Sequence, residues 1–511
     1  MSINHSSNSD SDNKTVQLES GGLVSQDYLD HAKSTFLEAQ SQDDFLAACG
    51  KPLRKSVRIN CIKSSVEDFK QWANNYGWSV TPIPWCETGF WIDYDEQSFS
   101  MALGNCPEHI QGLFYIQEAS SMLPVEALLH QNTIADPLIV DLAAAPGSKT
   151  TQLASILDNR GTILANELSA SRLKGLHANL VRCGINNTSI CHLDAAKFSS
   201  FLPEQFDYVL LDAPCGGEGT VRKDINALKD WSLESVNQLA ELQKQLIISA
   251  YQSLKPGGRM VYSTCTLSPE ENQQVAAFLL QQTDAKVVSL KDLFSGAEKS
   301  LTNEGYLHVL PHHYDSEGFF VSCFSKPESQ SLNNDSTTLK KIYDSPFMPV
   351  SQKEYKLVKE FMNQRFSIDM PYKKEQIKQR DNEIWLFPMF NDEINPYIKI
   401  NRSGIKLFRL YGKKIRITHE FASGLGRLAK QNTYPLTVHG FEEYMQGKAV
   451  DCDDKVLAQL KLTDGDILLS FNNSVFACGL LQKNRIKNAL PRDMVKDNYQ
   501  FSSITGTGTA M

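Results

Sequence analysis

Residues 138–150 read LIVDLAAAPGSKT, an apolar strand candidate that ends in a turn of small residues and leads into the helical pattern KTTQLASIL. The same alternation of strand and helix continues through residues 106–327. The strand candidates, in order, are LIVDLA, GTILANE, TSICHLD, FDYVLLD, GRMVYST, AKVVSL and FFVSCFS. The first five are apolar at nearly every position, as expected of parallel strands that are covered on both faces. The sequence therefore predicts a doubly wound α/β fold with a seven-stranded sheet.

The end of this region differs from its beginning. AKVVSL and FFVSCFS have no helix between them comparable to the helices that join the earlier strands. We therefore expect the final strand to run in the reverse direction. In sheets of this class ligands bind beyond the carboxyl ends of the strands, so the residues that follow each strand are the candidates for a functional site.

The flanking regions follow other patterns. Residues 1–22 are rich in Ser, Asn and Asp, and they are predicted to form a disordered tail. Residues 23–105 mix helix and strand candidates, which indicates a small α+β domain. Within the region 340–511, residues 340–395 mix helix and strand candidates, and from about residue 396 short strands follow with turn signals, as in YIKI-NRSG-IKLFRLYG. The pair Asn472-Asn473 between two apolar runs predicts a hairpin turn. We expect a β-rich domain at the C-terminal end.

The composition limits the classes of protein. A chain of 511 residues is too long for one core. It has no apolar run near the roughly 18 residues that a membrane span needs, and its polar start, MSINHSSNSDSDNKT, is unlike a secretory signal. The 11 cysteines include no CxxC pair and no Cys/His ligand spacing. We therefore expect a cytoplasmic protein without a metal site, a disulfide framework or a membrane segment.

Charge is distributed unevenly along the chain. The net charge is −8, but residues 331–511 hold 27 lysines and arginines against 20 acidic residues. A basic C-terminal third on an acidic chain is a weak indication of a phosphate-bearing partner. A solvated charged surface explains the same distribution equally well.

The turn AAAPGSKT, residues 143–150, is the candidate cofactor loop. It matches neither GxGxxG nor GxxxxGK[ST], so it is neither a dinucleotide fingerprint nor a P-loop. Its small residues still allow close approach of backbone to a ligand. Glu167 follows the second strand, where a carboxylate accepts from ribose hydroxyls, and Asp194 follows the third, where it can accept from an adenine amino group. The alternative is that both acids only begin the next helices.

Two cysteines follow the fourth and fifth strand candidates, Cys215 in LLDAPCGGEGT and Cys265 in MVYSTCT. Addition of a thiolate to carbon 6 of a pyrimidine makes carbon 5 able to accept a methyl group from a sulfonium donor, and a second group then assists release. Asp212 is placed to hydrogen-bond the ring edge. The alternative is that both cysteines are small buried strand residues. Cys215 fits that alternative less well, because it follows a proline and precedes two glycines. The chemistry does not decide which thiol attacks.

DAPCGGEGT and YSTCTLSPEEN, downstream of AAAPGSKT, resemble the motifs of the RNA cytosine-5 methyltransferase family, the Nol1/Nop2/Sun group. LRKSVRIN (53–60), YIQEASSMLP (115–124) and PHHYDSEGFFVSCFSK (311–326) are similar to further motifs of the family, and the match covers about residues 50–327. The resemblance implies a Rossmann-like methyltransferase sheet that uses S-adenosyl-L-methionine. The basic C-terminal extension is most similar to that of bacterial members acting on 16S ribosomal RNA, and it implies a domain like PUA RNA-binding modules.

The resemblance also implies residue roles. Cys265 of the Thr-Cys motif is expected to be the nucleophile, and Cys215 of the Pro-Cys motif is expected to assist breakdown of the adduct, with Asp212 beside them. Many members have a cysteine where this chain has Ala143, which leaves the backbone contact intact. The expected cofactor contacts are Ala143, Ala144, Ala145, Pro146, Gly147, Ser148, Lys149, Glu167, Asp194 and Asp212.

The leading hypothesis is methylation of cytosine carbon 5 in 16S ribosomal RNA, within the 30S subunit, with residues 23–105 also contacting RNA. The same reaction on transfer RNA is a close alternative. A non-catalytic RNA-binding assembly factor is an alternative of another class, but it has no need for either thiol. Amino-group methyltransferases place Asp/Asn-Pro-Pro-aromatic where this chain has Asp212-Ala213-Pro214-Cys215.

Overall fold

One large mixed sheet organises the molecule in the computed structural model. The model describes residues 15–95, 99, 101–131, 133–328, 341, 343–412 and 414–501. The sheet has nine strands, which we number along the chain. They are β1 (Leu138–Asp141), β2 (Thr162–Asn166), β3 (Thr188–Cys191), β4 (Phe206–Asp212), β5 (Leu254–Thr264), β6 (Lys286–Val287), β7 (Leu307–Val309), β8 (Phe319–Ser325) and β9 (Ile400–Ser403).

The strand order is β6-β8-β5-β4-β1-β2-β3-β9, with β7 paired to β8. The strands from β3 to β5 are parallel, whereas β8 runs antiparallel to β5. The predicted α/β class and the reversed final strand are therefore confirmed. All seven predicted strands form, and β7 and β9 are additional. Sequence patterning does not find β7 because its three residues, LHV, are too few to set a period.

Helices cover both faces of the sheet and bury it. We number four of them: α1 (Ser148–Ile156), α2 (Ala170–Arg182), α3 (Leu233–Ser253) and α4 (Gln273–Gln282). Helices α1 and α2, with the helix Leu123–Leu129, pack in the core on one face. Helices α3 and α4 pack on the other face. This double covering explains why β1 to β5 are apolar at nearly every position.

The N-terminal part adds a second sheet and several short helices. The four-stranded sheet has the order Ser79–Ile83, Cys86–Asp93, Lys55–Ile59, Phe114–Ile116. Its last strand lies beyond residue 105, so the predicted domain boundary was about ten residues too early. The other elements are strands Thr15–Gln17 and Leu23–Ser25 and helices Gln26–Thr35, Gln42–Cys49, Val66–Asn75 and Pro107–Ile110.

The predicted disordered tail needs a correction. Residues 1–14 lie outside the described residues, but Thr15–Gln17 pairs in antiparallel register with Leu23–Ser25. Leu18 and Val24 are buried against a cluster that includes Leu267. The tail prediction was wrong for residues 15–22. Leu18, and the pairing of Thr15–Gln17 with the strand that carries Val24, hold this polar segment against a core whose residues lie far away in the sequence.

The C-terminal part contains two five-stranded sheets. The first comprises Met348–Pro349, Ile377–Arg380, Glu383–Leu386, Ile405–Tyr411 and Lys414–Ile417, with helices Gln352–Phe366, Asn391–Ile394 and His419–Leu425. The second comprises Thr433–Pro435, Val450–Asp451, Gly465–Phe471, Ser474–Gln482 and Arg485–Asn488, with helices Val438–Met445 and Asp454–Gln459. The predicted β-rich character is confirmed.

Two turns in this part require unusual backbone. Asn472 and Asn473 have φ of 48° and 62°, and they join antiparallel strands, which confirms the predicted hairpin. Gly404 has φ of 53°, and a Cβ there would lie 1.9 Å from the carbonyl oxygen of Leu386. Of the four residues of the predicted turn NRSG (401–404), only Gly404 lies in the turn, because Ile400–Ser403 forms strand β9.

Strand β9 joins the C-terminal part to the central sheet. It pairs antiparallel with β3, and the hydroxyls of Ser403 and Ser189 lie 2.8 Å apart. Ile394 and Ile398 continue the contact into the core. The C-terminal region therefore completes one edge of the central sheet.

A buried arginine joins the N-terminal sheet to the helix that follows β1. Arg58 is 1% exposed, and its Nε donates to Oε1 of Gln117 (2.9 Å) while Nη2 donates to Oγ1 of Thr151 (2.9 Å). Asn60 donates through Nδ2 to the carbonyls of Gly112 and Cys183. The Arg-x-Asn motif therefore fixes the N-terminal sheet against α1 and α2.

Candidate active site

The two cysteines meet at the carboxyl ends of neighbouring parallel strands. In the β4–β5 pair Asp212 lies opposite Ser263, so the segments that follow the two strands leave the sheet side by side. The sulfur atoms of Cys215 and Cys265 are 3.2 Å apart, and both side chains are half-buried. The expected proximity of the two thiols is confirmed.

The surroundings of Cys215 keep its proton in place. The hydrogen bond with Cys265, burial, and the negative charges of Glu271 and Asp212 together raise the pKa of Cys215 well above its ordinary value. Near neutral pH Cys215 is therefore a thiol. A protonated thiol is a poor nucleophile but a suitable proton donor to a neighbouring sulfur.

Glu271 connects the segments that carry the two cysteines. Its carboxylate accepts from the backbone N–H of Gly216 (3.1 Å), from Nε2 of Gln243 (2.7 Å) and from Oγ1 of Thr266 (3.3 Å). Burial, reinforced by the charge of Glu218, raises the pKa of Glu271 to about 7. A Cβ on Gly216 would lie 2.9 Å from Oε1 of Glu271, so the glycine permits this close approach.

Glu218 also joins the two segments that carry the cysteines. It is 1% exposed and accepts from the backbone N–H groups of Leu267 (2.9 Å) and Ser268 (2.8 Å). Gly219 donates its N–H to the carbonyl of Cys265 (2.9 Å). A Cβ on Gly219 would lie 2.1 Å from the carbonyl oxygen of Gly318, so only glycine fits there.

A lysine from the cofactor loop lies beside the strand-end aspartate. Nζ of Lys149 donates to Oδ2 of Asp212 (2.6 Å) and to Oγ of Ser121 (3.1 Å), while Oγ of Ser263 donates to Oδ1 of Asp212 (2.7 Å). Lys149 also lies over the ring of Phe319, with Nζ 5.5 Å from the ring centre. The site therefore presents a cation and a carboxylate together, next to the thiols.

The predicted cofactor loop crosses the carboxyl ends of the central strands. Ala144 donates its N–H to the carbonyl of Asn166 (2.8 Å), and Ala145 donates to Oε2 of Glu167 (3.2 Å). Gly147 has φ of 105° at the start of α1, a conformation that favours glycine. The structure thus brings together residues 143–149, Glu167 and Asp212.

Glu167 and Asp194 support the alternative interpretation in part. Glu167 also accepts from the N–H of Ser169 (2.8 Å), with Nη1 of Arg172 3.3 Å from its Oε2. Asp194 accepts from the N–H of Ala196 (3.1 Å) and so caps a short helical turn. Both carboxylates remain at successive strand ends, but each already has a local partner.

One buried acceptor of this region has no partner. Oδ1 of Asp141, the last residue of β1, makes no hydrogen bond within the described part of the chain, whereas Oδ2 accepts from Thr150. Burial raises the pKa of Asp141 to about 6. An orphaned acceptor beside a small-residue loop and two strand-end acids fits a polar ligand such as S-adenosyl-L-methionine. Sequence reasoning missed Asp141, although it ends the strand LIVD.

Two further acids converge near Lys149. The N–H of Glu317 donates to Oε1 of Glu118 (3.1 Å), and the N–H of Ser121 donates to Oε2 of Glu118 (3.1 Å). Burial and the charge of Glu118 raise the pKa of Glu317 to about 8. Both acids lie in segments noted in the sequence, 115–124 and 311–326, but no periodic pattern distinguishes them as site residues.

The described residues form neither a metal-binding cluster nor a membrane-spanning helix. No group of three or more His, Cys, Asp or Glu side chains there is arranged to hold a metal ion. Among those same residues, no helix has the length and apolar character needed to cross a membrane.

Three family models match the chain in succession. They are the N-terminal domain of 16S rRNA methyltransferase RsmF at residues 25–119, 16S rRNA methyltransferase RsmB/F at residues 128–325, and the pre-PUA domain of ribosomal RNA small subunit methyltransferase F at residues 347–425. The central match spans strands β1 to β8 of the sheet and both cysteines.

Relatives and solved structures agree with these matches. Ribosomal RNA small subunit methyltransferase F of Vibrio vulnificus is 43% identical over 487 residues, which is 95% of this chain and 100% of the relative. The protein of the same name from Pectobacterium carotovorum is 46% identical over 92% of this chain and 96% of its own length. A methyltransferase homolog protein from Pyrococcus horikoshii is 31% identical, with a TM-score of 0.52 over 59% of this chain and 95% of that one.

These similarities extend over the N-terminal sheet, the central sheet and the C-terminal part. The cofactor of such methyltransferases is S-adenosyl-L-methionine, as the sequence predicted. The chain belongs to the RsmB/F family of 16S rRNA methyltransferases.

Proposed function

We propose that this protein methylates carbon 5 of a cytosine in 16S ribosomal RNA through a covalent adduct with Cys265. The observation that carries the proposal is the 3.2 Å separation of the two sulfur atoms beside the Lys149–Asp212 pair. The cofactor loop, residues 143–150, contains this same lysine. The thiol pair, the Lys149–Asp212 pair and the small-residue loop lie together at the carboxyl ends of the strands. These are the groups that methylation at carbon 5 requires.

The proposed reaction begins with loss of the Cys265 proton to solvent and addition of the resulting thiolate to carbon 6 of the cytosine. The Lys149–Asp212 pair holds the ring edge and stabilises the charge that develops on it. When bound, S-adenosyl-L-methionine supplies an electrophilic methyl group to carbon 5. We assign its binding to residues 143–149, Glu167, Asp194 and Asp212.

Release requires the carbon 5 proton to leave, and we assign it to solvent, which also returns a proton to Cys215 after the step. The bonding pair that the carbon 5 proton leaves behind re-forms the double bond between carbons 5 and 6, and the bond from carbon 6 to sulfur breaks with its electrons on Cys265. Cys215, held as a thiol 3.2 Å away, donates a proton to that sulfur. This assigns attack to Cys265 and release to Cys215.

The proposed substrate rests on the relatives, which are named for small-subunit ribosomal RNA. The target base has to leave any helix to reach thiols held at strand ends, so we propose base extrusion, with the N-terminal and C-terminal parts holding the flanking RNA. We propose that the enzyme acts in the cytoplasm, as expected of an enzyme whose substrate is ribosomal RNA. Transfer RNA is the alternative substrate, and a non-catalytic assembly factor has no use for the thiol pair.

Tritiated methyl transfer to 16S RNA and to 30S subunits tests the proposal, with transfer RNA as the comparison. Nuclease digestion and nucleoside separation should place the label in 5-methylcytosine. Label in another nucleoside, or none in either ribosomal substrate, would contradict the proposed function.

A further inference from the structure

A cavity lined by aromatic rings, four lysines and arginines and two acids, Asp344 and Glu383, lies where the C-terminal part joins the central sheet. Its volume is about 680 Å³, and its lining includes Tyr343, Phe347, Arg380, Trp385, Lys399 and Arg402. Tyr343 is 44% exposed, and Arg380 and Lys399 are exposed. Neither the cysteines nor the cofactor loop line it.

The cavity wall combines cations with aromatic rings. Lys406 Nζ lies 4.9 Å, and Arg402 Cζ 5.8 Å, from the ring centre of Trp385. Arg380 Cζ lies 5.2 Å from the ring centre of Phe347, whose own ring meets Trp385 edge-on at 5.4 Å. Aromatic faces beside a positively charged groove are the arrangement by which proteins bind single-stranded nucleic acid.

The positive charge continues beyond the cavity. A second cavity of about 580 Å³ shares Arg402 and Lys406 and is also lined by Arg409 and Arg416. Two of its lining histidines, His177 and His419, have a buried ring nitrogen without a hydrogen-bond partner in the part of the chain that the structure describes. Unpartnered donors or acceptors in a basic groove are suited to phosphate oxygens and ribose hydroxyls.

Strand β9, whose residues line the cavity, begins at the same end of the sheet as the active site. Because β9 is antiparallel to β3, Ile400 lies opposite Cys191 at the carboxyl end of β3. Five strand spacings separate β9 from β5, which is about 24 Å across the sheet. RNA that enters the active site is therefore within reach of this cavity.

We propose that this cavity binds a single-stranded segment of the substrate RNA, with a base stacked on Tyr343 and Phe347 and phosphates held by Arg380 and Lys399, whereas Arg402 is paired with Glu420 (2.6 Å). The inference rests on the proposed RNA substrate and deepens it. The site positions the RNA at a distance from the reacting cytosine and takes no part in the chemistry.

Binding of the full chain to a fluorescent oligouridine RNA and to a 16S RNA transcript tests the inference over a range of salt concentrations. Arg380→Ala with Lys399→Ala should lower the slope of log affinity against log salt by about 1.4, as loss of two phosphate contacts on a single strand would. The matched control is Lys286→Ala with Lys291→Ala, which should leave the slope unchanged. These two exposed lysines lie in and just after β6, at the edge of the sheet opposite β9.

Tyr343→Ala should weaken binding about tenfold without changing the salt slope, and Tyr343→Phe should restore it, because stacking needs the ring and not the hydroxyl. Wild-type affinity and slope in all of these variants would overturn the inference. If the wild type forms 5-methylcytosine while the cavity variants bind normally, only the cavity assignment fails. If the variants lose affinity but the wild type forms no 5-methylcytosine, only the proposed reaction fails.

Discussion

Cys215 and Cys265 have the same chemistry and lie 3.2 Å apart, yet their surroundings differ. Cys215 faces Glu271 and Asp212, whose charges help to hold its pKa well above the ordinary value. The carbonyl of Cys265 instead receives the N–H of Gly219, and its following residues are held by Glu218. The comparison teaches that two thiols at neighbouring strand ends can have different electrostatic surroundings, and the proposed division of roles rests on that difference.

The largest expected effect comes from removing the proposed nucleophile. Cys265→Ala should reduce methyl transfer to 16S RNA below detection, because no other group adds to carbon 6. The measurement is tritium incorporation at saturating RNA. Cys61→Ala, at an exposed cysteine, is the matched control and should retain activity. Measurable turnover by the Cys265 variant would contradict the assignment of Cys265 as the nucleophile.

The next effect concerns the acid beside Cys215. Asp212→Asn should lower kcat by about 10²- to 10⁴-fold, because the neutral amide neither pairs with Lys149 nor stabilises the reacting ring. Asp207→Asn is the matched control, since Asp207 is the second residue of the same strand and pairs with Lys255 (2.8 Å). Equal rates in the two variants would show that Asp212 only supports the fold.

The smallest effect concerns the acid that joins the two segments. The pKa of Glu271 in the folded protein, about 7, is above the ordinary 4.5, so its protonated form stabilises the fold and that stabilisation is lost as pH rises towards 7. Between pH 4.5 and 8 the wild type should lose about 3 kcal/mol more unfolding free energy than Glu271→Gln. Urea unfolding at several pH values measures this, and parallel pH curves would contradict it.

Much of the fold was predictable because the central strands are strongly apolar. The seven predicted strands and the reversed β8 follow from patterning and from the missing crossover helix. Strand β9, INRS, was not predictable, because its polar residues become a strand only by pairing with β3, more than 200 residues away. This pairing also means that truncation near residue 330 would uncover a sheet edge, so point variants are the better test of RNA binding.

The residues of the candidate site also differ in how far the sequence could predict them. Cys215, Cys265 and Asp212 were found because each lies at or just after the end of an obvious strand. Glu271 and Asp141 were not, since acids at such positions are common and only the fold shows that one joins two loops and the other lacks a partner. The roles of the thiols remain a prediction.

Denaturing gel electrophoresis of enzyme with 16S RNA and cofactor tests the central claim most directly. Cys215→Ala should accumulate a covalent enzyme–RNA complex that survives denaturation, because attack by Cys265 continues while release is impaired. Cys265→Ala should give no such band. A persistent complex with Cys265→Ala, and none with Cys215→Ala, would reverse the assignment and contradict the account.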